Sequence, residues 1–268
     1  MVAPNGATRT RADHPALPVT IPQIVTTARA CFDAGADGIH AHVRDRAGRH
    51  VLDAGLYAEL LAELACAVPG MAAQITTEAQ GRYTPAQQRA VVAAVPGAVS
   101  VSVALREMMA DNDAAAARGF YHDCAARGCA VQHILYDLTD MDRLAAARAA
   151  GIVPDGPVQV LLVLGRYTDG QRAAPAELAA PHARLMERIP GADWAVCAFG
   201  PDETACLAAA HGLGGKLRVG FENNLFNADG RRAADNADRV RDLCAVLSHA
   251  GADAENKAVR RTSRDRVE

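Results

Sequence analysis

Short apolar runs alternate along the whole chain with longer stretches in which alanine and leucine recur at three- and four-residue spacing. The runs at 1–4, 38–43, 72–77, 98–103, 130–136, 158–164, 194–199 and 217–222 are bounded by glycine, proline or polar residues, as buried strands are. Helix-period stretches follow at 22–34, 54–67, 85–94, 112–127, 140–150, 175–188, 202–211 and 233–249, with Pro22 suited to a first helical turn. Strands without polar alternation, each followed by a helix, predict a parallel sheet covered by helices. At 268 residues the expected closed form is a single α/β domain over 1–268, a (β/α)8 TIM barrel. The charged stretch from about 255 to 268 reads as a solvated tail and receives no function.

A barrel of this kind carries its chemistry at the carboxyl ends of the strands. The second run ends His40-Ala41-His42-Val43-Arg44-Asp45, and alternation sends His40 and His42 to one face and Ile39, Ala41 and Val43 to the other. Two readings stand for the pair: hydrogen-bonded polar residues at a strand end, or two nitrogen ligands of one metal ion. The eighth run, Leu217 to Glu222, sends Arg218, Gly220 and Glu222 inward, and it neighbours strand one, which neighbours strand two. Glu222 can therefore complete a two-histidine, one-carboxylate site with open positions for substrate. Thr76 and Glu78 share a face where the third run ends, and Asn5 follows the first, where an amide can bind substrate or cap its own loop. Gly165 to Arg172, with Arg166 at its start, reads either as a substrate-covering segment or as an ordinary surface loop. His133 reads as a core histidine, and Asp137 as a helix cap or an orienting group.

Composition narrows the chemistry. A net charge of -3 gives no basic field for nucleic acid or an anionic membrane, and no apolar run approaches the ~20 residues of a membrane span, so neither partner is expected. A small carboxylic substrate is expected instead, and a cytoplasmic location, because arginines and a histidine stand early where a signal peptide needs an apolar stretch. Seven scattered cysteines read as reduced, small, buried hydrophobes. Lys216 and Lys257 are the only lysines, and neither falls where a Schiff base would form.

Further motifs occur in a consistent order: Pro4-Asn5-Gly6-Ala7, Asp13-His14-Pro15, Ala34-Gly35-Ala36, the histidine pair with Gly48, Thr76-Thr77, Val163-Leu164-Gly165, Trp194-Ala195-Val196, and Gly214 through Asn224, then Asn236-Ala237. Together they resemble the β-keto acid cleavage enzyme family. The resemblance implies a zinc-bearing, usually oligomeric (β/α)8 barrel, here a homo-oligomer (dimer or tetramer), with zinc or another divalent metal as cofactor. It also implies acetyl-CoA as co-substrate: a β-keto acid is condensed with it, and acetoacetate and a new acyl-CoA are released. His40, His42 and Glu222 match the family's metal ligands, Arg218 its arginine at the reacting carbon, and Thr76 a hydroxyl lining the substrate.

The chain departs from the family pattern at four places. Asn223 stands where the family has an aspartate assigned as base, and an amide cannot take that proton. Thr77-Glu78-Ala79-Gln80-Gly81 replaces a glycine-rich turn, Thr8 stands where the aminohexanoate enzyme has a glutamate, and Gln132-His133 replaces a glutamate pattern. The expectation is a divergent zinc enzyme with Arg218, Glu78 and Asn223 at the reacting centre and Thr76, Asn5, Thr8 and Arg166 on the substrate. Glu78 or Asp137 is the replacement base. The alternatives are a zinc barrel acting on another carboxylic substrate without CoA, and a metal-binding barrel without catalysis.

Overall fold

The computed structural model describes residues 1–249, so the charged tail lies outside the described residues. Seven parallel strands run in sequence order around the sheet. They are β1 (Gly38–His40), β2 (Ala72–Thr76), β3 (Ser100–Ala104), β4 (Ala130–Leu135), β5 (Gln159–Leu164), β6 (Asp193–Ala198) and β7 (Lys216–Leu217). The first expected strand contracts to a bridge: Val2 pairs in parallel with Ile39 on one side and Val219 on the other. Its N–H donates to the Gly38 carbonyl at 2.7 Å, and the Ala3 N–H donates to Val219 at 2.8 Å, so this segment takes the eighth place and closes the ring. The fold is a (β/α)8 TIM-type barrel.

The helices are α1 (Ile21–Asp33), α2 (Ala54–Ala67), α3 (Pro85–Ala94), α4 (Leu105–Met108), α5 (Ala114–Ala126), α6 (Leu138–Ala149), α7 (Ala179–Arg188), α8 (Glu203–Gly212) and α9 (236–249). Local chemistry sets their starts. Thr20 and Thr84 head capping boxes with Gln23 and Gln87, each followed by an early proline. Asp53, Asp113 and Asp137 each accept a backbone N–H of the first turn, which settles Asp137 as a cap. The stretch expected as one helix over 175–188 begins as a 3-10 turn at Pro175–Leu178, and α4 was not legible as a helix at all.

Strand alternation divides the apolar residues into two layers. Val160, Leu162 and Leu164 of β5 pack outward beneath the helices, while Leu161 and Val163 join Ala104, Ile134, Ala195, Cys197 and Phe199 inside the barrel. Below the strand ends the interior turns polar: Gln74 Nε2 donates to Ser100 Oγ and Gln132 Oε1, both at 3.3 Å. Among the cysteines, Cys66 and Cys244 are exposed and the other five buried, and all seven are free. No helix among the described residues is long and apolar enough to cross a membrane.

Two strands end earlier than expected, both at the site. The run over 38–43 keeps ladder geometry only to His40, because the side chain of Asn5 then takes over the backbone of His42. Asn5 Oδ1 accepts the His42 N–H at 3.2 Å, and its Nδ2 donates to the His42 carbonyl at 2.9 Å and to that of Pro18 at 3.2 Å. The run over 217–222 breaks at Gly220, whose φ of +144° lies in the region that favours glycine. A Cβ there would fall 2.4 Å from the Ala3 carbonyl oxygen. Glu222 thus sits on a turn rather than on a strand, with its N–H bound to that same carbonyl at 3.0 Å.

Candidate metal centre and cavity

His40 arrives from the end of β1, His42 from the Asn5-bound segment after it, and Glu222 from the turn after Gly220. Their ligand atoms lie within 4.8 Å of one another. The two Nε2 atoms are 3.0 Å apart, and Glu222 Oε2 stands 3.7 Å from that of His40 and 3.9 Å from that of His42. Gly6 makes room for the carboxylate: at φ +57° its Cβ would come within 2.6 Å of Glu222 Cγ. The loop bearing Gly6 is gripped by the buried guanidinium of Arg44, which donates to the carbonyls of Asn5, Gly6, Ala7, Arg9 and Gly48.

The donor set fits a divalent cation. Burial, followed by the charge of Arg218, pulls the His40 imidazolium down to about 4, and burial with the neighbouring His50 and His40 holds His42 well below its ordinary value. Both rings are therefore neutral near pH 7, the form that binds metals. His40 Nδ1 lies 2.8 Å from Gln74 Oε1, so its proton is on Nδ1 and its Nε2 lone pair faces the site. Glu222 Oε2 is buried without a hydrogen-bond partner, while Oε1 accepts from Arg218 at 3.2 Å. An orphaned carboxylate oxygen aimed at imidazole nitrogens is a costly arrangement that a cation satisfies.

Beside these side chains opens a cavity lined by Thr8, Thr76, Glu78, Arg166 and Arg218, together with Glu107 and Tyr136. Arg218 is fully buried, with Nε and Nη1 lacking partners. Its charge is held up by Glu222 against the cost of burial. Thr76 Oγ1 accepts the Glu78 N–H at 3.1 Å, which leaves the hydroxyl proton free to point into the cavity. Burial, and then the charge of Glu222, push the Glu78 carboxyl up to about 7. Its oxygens stand 3.8 Å from His42 Nδ1 and 3.9 Å from Arg166, with Gln80 donating to one of them. Arg166 stacks on Phe199, its guanidinium carbon 5.2 Å from the ring centroid.

Three of the residues read from the sequence, Asn5, Asn223 and Asp137, do not line the cavity. Asn5 is fully buried and its amide is spent on His42 and Pro18, which fixes a candidate ligand rather than a substrate. Asn223 is fully buried beside Cys197, with neither side-chain amide atom partnered, and its carbonyl accepts from Arg9 at 3.2 Å. Asp137 caps α6 and pairs with Arg106 at 2.6 Å. Sequence reasoning missed Glu107, Tyr136 and His50. Tyr136 falls at the end of its predicted strand, the position where such barrels place their chemistry, so that signal was available. Glu107 sits on the unforeseen α4, and His50 lies on a loop with no motif of its own.

A TIM-type barrel with two imidazoles, a carboxylate and a buried arginine at its mouth defines a class of barrel suited to carbonyl chemistry. The sequence model of the β-keto acid cleavage enzyme family matches residues 1–263, and the chain belongs to that family. It is 26% identical over 257 residues to the 3-oxoadipate:acetyl-CoA acetyltransferase of Cupriavidus necator, covering 93% of this chain and 88% of that one. It is 24% identical over 251 residues to the 3-keto-5-aminohexanoate cleavage enzyme of Fusobacterium nucleatum, with 92% and 89% covered. Among solved structures, the ternary complex of ObcA with a C4-CoA adduct and oxalate superposes with a TM-score of 0.69 at 18% identity. That match takes in 88% of this chain and 65% of the other, and it speaks to the fold alone.

Proposed function

We propose that this enzyme exchanges acyl groups between a β-keto acid and acetyl-CoA, using a divalent metal, zinc in the first instance, held by His40, His42 and Glu222. The observation that carries the reading is the unpartnered Glu222 oxygen facing two neutral imidazoles, with Arg218 and Glu78 on the same cavity. The names of the two relatives, both of which describe chemistry on keto acids, support the substrate class. When bound there, the metal supplies Lewis acidity to the keto and carboxylate oxygens of the substrate, making the carbon between them acidic.

Glu78 takes the proton from that carbon, the role that Asn223 cannot fill. Its burial suits this role, since a carboxyl pushed up to about 7 is a stronger base than an exposed one. Arg218, with two unpartnered N–H groups, stabilises negative charge on the substrate as the carbanion forms and attacks the thioester. Thr76, Arg166 and Thr8 line the cavity and orient the substrate, and Asn5 holds His42. Attack on the thioester expels the CoA thiolate, which in turn adds to the original keto carbon. The bond between that carbon and its neighbour breaks, releasing the new acyl-CoA and a carbanion that takes the proton back from Glu78 as acetoacetate. The test is a panel of β-keto acids incubated with acetyl-CoA and the metal-loaded protein. Acetoacetate should appear with at least one of them, and its absence across the panel overturns the CoA reading.

A further inference from the structure

Three buried imidazoles stand in a row at the barrel mouth. The ring centroids of His40 and His42 are 5.0 Å apart, and those of His42 and His50 are 4.9 Å apart. His50 reaches the row from the loop after β1, where it bridges Arg44 across a short antiparallel pairing, and only 2% of it is exposed.

Partners at the two ends of the row decide where the protons are. At one end Gln74 turns its oxygen to His40, because its nitrogen is engaged with Ser100 and Gln132. His40 therefore carries its proton on Nδ1. At the other end His50 Nε2 lies 3.0 Å from the carbonyl oxygen of Glu78, a group that can only accept. His50 therefore carries its proton on Nε2, and its Nδ1 is a bare lone pair. That lone pair faces His42 Nδ1 at 3.4 Å.

His42 has two neutral forms. With the proton on Nε2 it would donate to His40 Nε2, 3.0 Å away, and seal the space between the rings with a hydrogen bond. Its Nδ1 lone pair would then oppose the lone pair of His50 in a dry site, an unfavourable contact. With the proton on Nδ1, His42 donates to His50, and its bare Nε2 opposes that of His40 at 3.0 Å beside the Glu222 carboxylate, a crowding of lone pairs that a bound cation relieves.

We propose that His50 is a positioning residue for the metal centre: it accepts from His42 Nδ1, disfavours the form of His42 that would close the site, and tethers this ligand to the Glu78 backbone. The proposal rests on His40, His42 and Glu222 holding a divalent metal. Outer partners of this kind typically change metal affinity by about 10- to 100-fold.

The test uses the full chain with zinc and with cobalt(II), measuring dissociation constants by chelator competition and the cobalt absorption bands. His50→Phe keeps a flat ring but offers no acceptor, and it should weaken binding by roughly 10- to 100-fold while leaving apo-protein melting within a few degrees. His50→Asn places an amide oxygen near the lost nitrogen and should restore most of that affinity. In the zinc-loaded wild type, long-range nitrogen–proton correlation spectra should show the His42 proton on Nδ1, shifted downfield by its hydrogen bond to His50, and that shift should be lost in His50→Phe. A His42 Nδ1 proton that resonates alike in wild type and His50→Phe, or zinc affinity of His50→Phe within about threefold of wild type, overturns the proposal. Wild-type protein that binds neither metal overturns the metal reading itself, a separate and recognisable failure.

Discussion

Replacing Arg239 by methionine should be among the most destabilising single changes in this chain. Arg239 of α9 is fully buried, and its guanidinium binds Glu203 Oε2 at 2.7 Å, Asp242 Oδ2 at 2.7 Å, Thr204 Oγ1 at 2.9 Å and Asn227 Oδ1 at 3.2 Å. Glu203 is also fully buried, so Arg239→Met leaves a carboxylate in the interior without its counter-charge, a change that costs about 3–5 kcal/mol. Methionine fills much of the same space, so little of the loss comes from a cavity. The double variant Arg239→Met/Glu203→Gln removes the stranded charge and should recover about 2 kcal/mol or more of the deficit. The pH dependence has a definite sign. Burial already lifts the Glu203 carboxyl from 4.5 to about 7 despite Arg239, and a folded value above the unfolded one means stability is present at low pH and lost as pH rises. Without Arg239 the value rises further, so the deficit of the single variant should be larger at pH 8 than at pH 5.5. Urea unfolding of wild type, single and double variants at both pH values supplies the numbers. A single-variant cost under about 1 kcal/mol at pH 8, set against the 3–5 expected for a broken buried pair, would refute the reasoning, as would a double variant no more stable than the single.

Glu78→Gln should lower turnover by about 10²- to 10⁴-fold while zinc content, read by elemental analysis, stays at the wild-type level; full activity would remove Glu78 as the base. Gly6→Ala should weaken zinc binding and cost about 1–3 kcal/mol, because its methyl would press on the Glu222 side chain; unchanged affinity would mean that the loop yields freely. Dialysis against a strong chelator should abolish acyl exchange and lower the melting temperature, and zinc should restore both. Activity that survives complete metal removal would contradict the Lewis-acid role.

The barrel was legible because its strands are nearly continuous apolar runs and its helices carry early prolines and aspartate or threonine caps. Those are local signals. His40, His42 and Glu222 were legible as a group because alternation and the order of neighbouring strands bring them to one mouth. The details that hold them were not. Nothing in Leu217 to Glu222 announces that Gly220 turns the chain, since the cause is the Ala3 carbonyl more than two hundred residues away in sequence. Asn5 was read as facing substrate or capping its own loop, and it instead serves the backbone of His42, a choice made by tertiary contact. His50 and Glu107 escaped notice because each joins the site from a loop or short helix, where no periodicity marks which way a side chain points. Asn223 illustrates the opposite difficulty: its importance was inferred from a substitution, while its burial beside Cys197 depends on how the turn folds.

The closing role of the Val2 segment has a consequence for how the protein matures. The two imidazoles come from the first sixth of the chain and the carboxylate from its last fifth, and residues 1–6 bridge the two regions in space. During synthesis, a chain emerging up to β6 has His40 and His42 but not Glu222. For the metal site proposed above, tight capture should therefore await β7 and the turn beyond it, so that loading reports completion of the ring. Refolding monitored at once by cobalt absorption and by backbone dichroism should show helices forming before the metal bands appear.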